Sequence, residues 1–407
     1  MQKHRTGDLK LIQELNRSII LNMIREHGPI SRSEIAKRNH LSPSTVASAV
    51  SELIQEGLAS EIGQGTSSGG RRPIMVQFSP DNHFLIGISV YNRGLDIAEI
   101  NLQAEIRRSR RLTAEDHFQG EKVTALLLDS IGDFIKECTN MEKCIGISII
   151  VPGIIDSRHG IVHYNAKLKL EHIRLKEMVE SRFGIKTWVE NDMNAIVLAE
   201  KIIGNFSQYH NLIYISVGSG VGAGVILNDA VLRGSRGGAG EFGHTTVNNT
   251  GAPCECGNRG CIENYISWPA TRSRIGALVA GGTRSVLYER VPAGVSELTP
   301  DEFYRAVEEG DPLAVTILEE NVSYMGTGIV NLVNLFNPDI IIIGGEAVNT
   351  LLLARLTDYI RRHALGFSTE GLQIYPGSLG ENAELIGAAS VLLQDYFRFS
   401  LSVQQEG

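Results

Sequence analysis

Between Gly243 and Cys261 the chain reads GHTTVNNTGAPCECGNRGC, which brings His244, Cys254, Cys256 and Cys261 together at short spacing. One imidazole and three thiolates make a complete tetrahedral set for zinc and leave no position for a reactive water. A structural ion is therefore expected rather than a catalytic one. The other two cysteines, Cys138 and Cys144, stand apart, and the N-terminus MQKHRTGDLKLIQELN lacks the apolar stretch of a secretory leader. In a reducing compartment such a cluster reads as metal binding, not as disulfides. The competing reading is a set of reduced cysteines that hold no metal.

The chain that must position these ligands has 407 residues, 43% of them hydrophobic and 21% charged. That balance supports two or three globular domains with sizeable cores. No apolar run of about 18 residues occurs, so a cytoplasmic location without membrane contact is expected. A net charge of −8 argues against nucleic-acid affinity for the chain as a whole. The charge is unevenly spread, however. Residues 1–75 carry ten Lys and Arg against seven Asp and Glu, a net of +3, and the remainder carries 28 against 39, a net of −11. A basic segment ahead of an acidic body fits a DNA-binding head on a domain with another task.

The segment NRSIILNMIREHGPISRSEIAKRNHLSPSTVASAVSELIQEGLASEIGQG predicts three helices. Ile19, Ile20, Met23 and Ile24 recur at helical spacing until Gly28-Pro29 ends the run. Ser31 and Glu34 form a capping-box pattern for the second helix, and Ser42 followed by Pro43 opens the third. Val46, Ala49, Val50 and Leu53 make one apolar face of that third helix, while Ser44, Thr45, Ala47 and Ser48 are small and polar. Close approach of such a helix start to a DNA backbone and base edges is what a recognition helix requires, which nominates Ser42, Ser44, Thr45 and Ser48. The following SEIGQGTSSGGRRPIMVQF has the plan of a wing, two short extended runs around a Gly/Ser-rich turn, and its Arg71 and Arg72 suit a minor groove or phosphates. The plainer alternative is a three-helix packing module with a solvated basic loop.

From Leu85 the texture changes to strands alternating with helices. FLIGISVYNRGLDIAEINLQAEI predicts two hairpin-linked strands, CIGISIIVPGIID a buried strand ending in a Pro-Gly turn, and TWVENDMNAIVLAEKI a strand running into a helix. NLIYISVGSGVGAGVILNDAVL predicts a glycine-hinged strand pair, and MGTGIVNLVNLFNPDIIIIGGEAV a helix, a turn at Asn337-Pro338, a strand and a glycine turn. Strands placed before helices, with polar and glycine residues at the strand ends, describe an α/β body whose ligand sits at those ends. Two such blocks imply two lobes around a cleft.

These segments resemble the ROK family of repressors and sugar kinases over essentially all of residues 10 to 400. VPGIID, VENDMNAIVLAE, VGSGVGAGVILNDAVLRGSRGGAGEFGH, CECGNRGCIENYIS and FNPDIIIIGG stand in family order and spacing. The resemblance implies a winged helix-turn-helix over residues 1–80 and a two-lobed, actin-like (ribonuclease H-like) ATPase fold over 81–407. The head and wing are similar to the repressor branch. The wing, together with GSLGENAELIGAAS, is most like the xylose repressors of low-GC Gram-positive bacteria.

The resemblance also implies a site. Sugars are held by carboxylates and amides that bridge hydroxyls, because each hydroxyl both donates and accepts. In this family those groups correspond to Asn191 and Asp192 of END, Glu241 and His244 of GEFGH, and Glu263, with Gly153 and Asn165 as further candidates. The zinc would pin the GEFGH loop, and His244 would bind it with one ring nitrogen and offer the other to the sugar. Kinases of the family need an Asp-x-Gly-x-Thr-like hairpin for the ATP phosphates, and here GISVYNRG has Ser89 in place of the aspartate and Tyr91 in place of the first glycine. No catalytic residue is therefore expected. The implied protein is a homodimeric repressor that releases a palindromic operator when a sugar binds, D-xylose being favoured and glucose or another hexose remaining open. A sugar kinase with a regulatory head is the alternative, and a metal sensor acting through the cysteines is a third.

Overall fold

The computed structural model describes residues 9–65, 72–114, 118–290 and 297–397. Its N-terminal part consists of α1 (Leu9–His27), β1 (Ile30–Ser31), α2 (Arg32–Arg38), α3 (Pro43–Gln55), β2 (Ala59–Gln64) and β3 (Ile74–Phe78), with strand order β1-β3-β2. Ser31 caps α2 by accepting from the Glu34 amide at 3.2 Å, while the Glu34 carboxylate takes Arg38 at 2.7 Å. Only the serine arm of the expected capping box is found, because a cation one turn on competes for the carboxylate. Ser42 caps α3 through the Thr45 amide at 3.1 Å, with Pro43 at the first helical position. The buried face of α3 carries Val46, Ala49, Val50 and Leu53 as its periodicity predicts. β2 and β3 pair antiparallel as the two strands of the wing.

The first lobe of the body is built on a five-stranded sheet of order β11-β7-β4-β5-β6. Its strands are β4 (Phe84–Tyr91), β5 (Gly94–Asn101), β6 (Ile106–Thr113), β7 (Cys144–Val151) and β11 (Thr187–Asn191), with β7 parallel to both β4 and β11. Between them lie α4 (Glu121–Glu137), a small antiparallel sheet of β8 (Ile154–Asp156), β9 (Ile161–Asn165) and β10 (Leu170–Ile173), and α5 (Leu175–Phe183). The side-chain period of two sorts β4 cleanly: Ile86, Ile88 and Val90 pack with α4 and α5, and Leu85 packs on the opposite face.

α6 (Asp192–Ile202) leads into the second lobe, whose sheet has the order β14-β13-β12-β15-β16. It contains β12 (Leu212–Val217), β13 (Val221–Leu227), β14 (Ala230–Val231), β15 (Ile340–Gly344) and β16 (Gln373–Pro376). The helices of this lobe are α7 (Glu263–Ile266), α8 (Trp268–Ala280), α9 (Val286–Arg290), α10 (Pro300–Glu308), α11 (Pro312–Phe336), α12 (Thr350–His363) and α13 (Gly366–Thr369). β15 is apolar on both faces, as a covered sheet demands: Ile341 and Ile343 meet the α11 side, and Ile340 and Ile342 meet α6. α11 ends at Asn337 in the left-handed region, φ 44°, which is the turn expected before Pro338.

The last helix, α14 (Ala383–Phe397), returns to the first lobe and packs on α6. A Cβ on Gly387 would stand 3.2 Å from the Ala195 carbonyl carbon, so the two helices touch backbone to backbone. α14 also joins the head to the body. Ile20, Ile24, Val50, Leu53, Val76 and Phe78 of the head share one hydrophobic cluster with Leu85, Ile100, Leu392 and Phe397. The Phe397 ring lies 6.0 Å from Phe78 in an edge arrangement and 3.7 Å beneath the Arg25 guanidinium, and Ser18 donates to the Phe397 carbonyl at 3.4 Å. Among the described residues no helix is long and apolar enough to cross a membrane.

Candidate functional site

The ligand atoms of His244, Cys254, Cys256 and Cys261 lie within 4.8 Å of one another. The Cys256 and Cys261 sulfurs are 3.6 Å apart, and His244 Nδ1 is 3.7 Å from the Cys254 sulfur. Zinc bonds of about 2.0 to 2.3 Å at tetrahedral angles require ligand separations of about 3.3 to 3.8 Å. The donor set therefore suits zinc, and these two pairs already stand at that separation. The other ring nitrogen, His244 Nε2, is turned to Glu241, 4.0 Å from its carboxylate.

Local structure explains why His244 and Glu241 sit where they do. They bracket a short 3-10 turn, Phe242–His244, in which Phe242 is buried and serves as the anchor. A Cβ on Gly243 would come within 2.2 Å of the Val221 carbonyl, so the loop can lie against β13 only with glycine there. That same spot is 3.3 Å from Glu263 Oε2, which accepts the Val221 amide at 3.0 Å. The other Glu263 oxygen faces Lys167 Nζ at 3.6 Å. Burial, opposed by the His244 charge and reinforced by Glu263, raises the Glu241 carboxyl above the ordinary range.

Asp192 is the first residue of α6 and accepts the Met193 amide at 2.9 Å. Burial first, then the negative charge of Glu384, pushes its carboxyl up to about 7. The remaining residues nominated from the sequence have their polar groups engaged. Asn191 caps α6 through the Asn194 amide at 3.0 Å and donates to the Gly153 carbonyl at 3.0 Å. Asn165 donates to the Pro152 carbonyl and accepts the Leu168 amide, both at 2.7 Å. Gly153 has φ +108°, and a Cβ there would meet the Tyr164 carbonyl at 2.4 Å. These three hold the loops in place, whereas the Glu241 carboxylate faces His244 Nε2 and Glu263 faces both Val221 and Lys167.

Three participants carried no sequence signal. Arg233, in the second lobe, reaches back 43 residues to Glu190 at 2.6 Å, and Glu190 is only 1% exposed. Lys167 crosses from the first lobe to Glu263. Glu384, in the first turn of α14, accepts a short hydrogen bond from Ser89, which is itself 1% exposed. Burial is the main cause that raises Glu384, with the Ser89 bond opposing it.

Tyr91 donates to Asp96 at 3.2 Å, and burial together with that carboxylate pushes its phenol up to about 12. Asp96 is also clasped by Arg111 at 2.8 Å. Tyr91, Asp96, Arg111, Glu381 and Glu384 line a cavity of about 350 Å³. Gly222 and Gly224 of VGSGVGAG have a packing explanation: a Cβ on Gly222 would stand 2.8 Å from Met193 Cγ, and one on Gly224 would stand 2.2 Å from the Met193 carbonyl.

On the head, Ser44 and Ser48 of α3 are exposed, while the Ser42 hydroxyl is shared with Ser44 at 2.9 Å and Thr45 at 2.8 Å. Ser48 donates to Glu52 at 3.2 Å. Arg72 is exposed, and Arg71 lies outside the described residues.

The family model described as ROK family matches residues 86–395, and one described as winged helix-turn-helix DNA-binding matches residues 15–59. The xylose repressor of Caldicellulosiruptor bescii is 35% identical over 398 residues, covering 97% of this chain and 99% of that protein. A crystal structure of a ROK family transcriptional regulator, a homologue of the Escherichia coli MLC protein, superimposes with a TM-score of 0.83 at 28% identity, covering 96% of this chain and 98% of that one. A ROK family glucokinase from Streptomyces griseus, crystallised with glucose and AMPPNP, superimposes with a TM-score of 0.65 at 27% identity over 76% of this chain and 98% of its own.

Proposed function

The chain belongs to the ROK family and carries a winged helix-turn-helix head, and from that premise we propose that it is a sugar-responsive transcriptional repressor. The head, as a homodimer in the cytoplasm, holds a palindromic operator through the N-terminus of α3 and the wing. Sugar bound between Asp192, Glu241, His244 and Glu263 releases it. D-xylose is the favoured inducer, on the strength of the likeness to the xylose repressor of C. bescii. Structural zinc, held by His244, Cys254, Cys256 and Cys261, fixes the imidazole so that its second nitrogen can donate to a sugar hydroxyl.

The observation that carries this reading is the course of α14. Its first turn lines the cavity beside Tyr91 and Asp96, where Ser89 donates to Glu384, and its last residue sits in the core of the head under Arg25. A 15-residue helix is about 22 Å long, enough to connect the two sites as one rigid element. α6, which starts with Asp192, packs against its flank. A sugar that favours one arrangement of the lobes thereby acts on the seat of the head, and such coupling is typically worth about 1 to 3 kcal/mol.

The likeness to a glucokinase and an Asp192 carboxyl near 7, suited to a general base, favour a kinase as the second reading. The expected phosphate hairpin argues against it. Ser89 supplies no carboxylate to a metal, Tyr91 puts a ring where a backbone amide should approach, and Glu384 and Glu381 line the place beside an Asp96 already neutralised by Arg111. Phosphates need the opposite field. An ADP-release assay over a panel of aldoses and ATP with magnesium separates the two readings. Turnover above background with any sugar would restore the kinase, and its absence alongside measurable sugar binding supports the repressor.

A further inference from the structure

β9 and β10 are joined by a turn at residues 166–169 whose backbone is pinned. Asn165 accepts the Leu168 amide at 2.7 Å, the Leu168 carbonyl accepts from Gly120 at 2.8 Å, and the Lys167 carbonyl accepts from Gln119 Nε2 at 3.2 Å. From this fixed tip the Lys167 side chain leaves the first lobe and meets the second. Its ammonium is 3.6 Å from Glu263 Oε1, and a Cβ on Gly220 would stand 3.5 Å from it. That ammonium–carboxylate separation is too long for a hydrogen bond, so charge attraction holds the two groups facing each other with the bond unmade. Glu263 cannot swing freely to shorten it, because its other oxygen is tied to the Val221 amide at 3.0 Å.

A hydroxyl satisfies both groups at once, since it accepts from an ammonium and donates to a carboxylate. We propose that Lys167 is a sugar-contacting residue: one hydroxyl of the bound sugar inserts between its ammonium and the Glu263 carboxylate and draws the hairpin tip of the first lobe onto the second. This rests on the reading of the cleft as a sugar site and adds the class of ligand. Glu263 and Glu241, joined by Asp192 as it ionises near pH 7, set carboxylates against this one ammonium and a histidine in the metal cluster. A phosphorylated sugar would meet that field with like charge, and an amino sugar placed at this hydroxyl would repel Lys167. The ligand is an uncharged sugar with a free hydroxyl at this position.

The test is calorimetric titration of the full-length protein and its Lys167→Met variant with D-xylose, D-glucose and glucose 6-phosphate, beside operator binding without sugar as the check on folding. A charge-assisted hydrogen bond corresponds to about a tenfold to hundredfold change in affinity. Lys167→Met should raise the sugar Kd by that factor and leave operator affinity unchanged. Equal sugar Kd values for the two proteins overturn the role of Lys167 while leaving the cleft as a sugar site. Tighter binding of glucose 6-phosphate than of glucose overturns the uncharged class, and an unmutated protein that takes up no sugar overturns the cleft reading itself, and this inference with it.

Discussion

Replacing Phe397 with leucine is the most informative perturbation of the coupling, because it keeps an apolar side chain in place and removes only what is particular to the ring. Phe397 is 8% exposed, meets Phe78 edge-on at 6.0 Å and lies 3.7 Å under Arg25. An aromatic pair contributes about 0.5 to 1.5 kcal/mol beyond its area, and a partly desolvated guanidinium over a ring about 0.5 to 2 kcal/mol. The substitution should therefore weaken the seat of the head by about 1 to 3.5 kcal/mol. Allosteric coupling is usually of that same size. A sugar shifts an equilibrium only as far as the two states differ in their contacts. If the seat of the head is what differs, F397L should lose most of the sugar effect. Fluorescence anisotropy of a labelled operator with and without saturating sugar measures the ratio of the two Kd values, and calorimetry measures the sugar Kd alone. The reasoning expects the ratio to fall toward one with sugar affinity intact. A variant whose melting temperature drops, showing the seat loosened, but whose operator still dissociates with the unmutated ratio would refute the role of α14.

Two further outcomes follow from the site. Cys256→Ser opens the metal set and frees the loop that aims His244, which should cost one hydrogen bond to the sugar, about 0.5 to 1.5 kcal/mol or about two- to twelvefold in Kd, with operator binding in the absence of sugar unchanged. Equal loss of both functions would point to general unfolding instead. Asp192 holds its proton up to about pH 7 in the folded protein, whereas an unfolded aspartate loses it near about 4. Over that window the folded state binds the extra proton, so stability should decline as pH rises from about 4 to about 7. Melting temperatures of the protein and of Asp192→Asn between pH 5 and 8 check the sign, the variant being expected to show the flatter profile; parallel profiles would contradict it.

Much of this architecture was legible in the sequence because it rests on local rules. Ser42-Pro43 fixes the start of α3, the nearly continuous apolar runs of β4 and β15 follow from two covered faces, and the spacing of His244 and the three cysteines brings four ligand atoms together. The resemblance nominated Asp192, Glu241, His244 and Glu263, and Glu241 and His244 do share one short loop. The parts that were not legible depend on contacts far apart in the chain. Glu384 meets Ser89 across 295 residues, and Arg233 meets Glu190 across 43. No periodicity or cap encodes such pairs. Motif position nominates Asn165 and Asn191 as sugar ligands, and their amides donate to the Pro152 and Gly153 carbonyls of the Pro-Gly turn, a detail that residue type cannot convey. VGSGVGAG reads as a glycine-hinged strand pair, but only the fold shows that Gly222 and Gly224 admit the start of α6. The boundary placed at residue 80 falls inside one hydrophobic cluster, since a distant helix, α14, packs against both sides of it.

The central claim, that a sugar in the cleft governs the head, is tested most directly by titrating the protein onto DNA from upstream of its own and neighbouring sugar genes, with and without D-xylose and with D-glucose beside it. The account predicts a saturable complex that D-xylose dissolves and D-glucose does not. A complex that persists unchanged at saturating, calorimetrically verified sugar occupancy would contradict it.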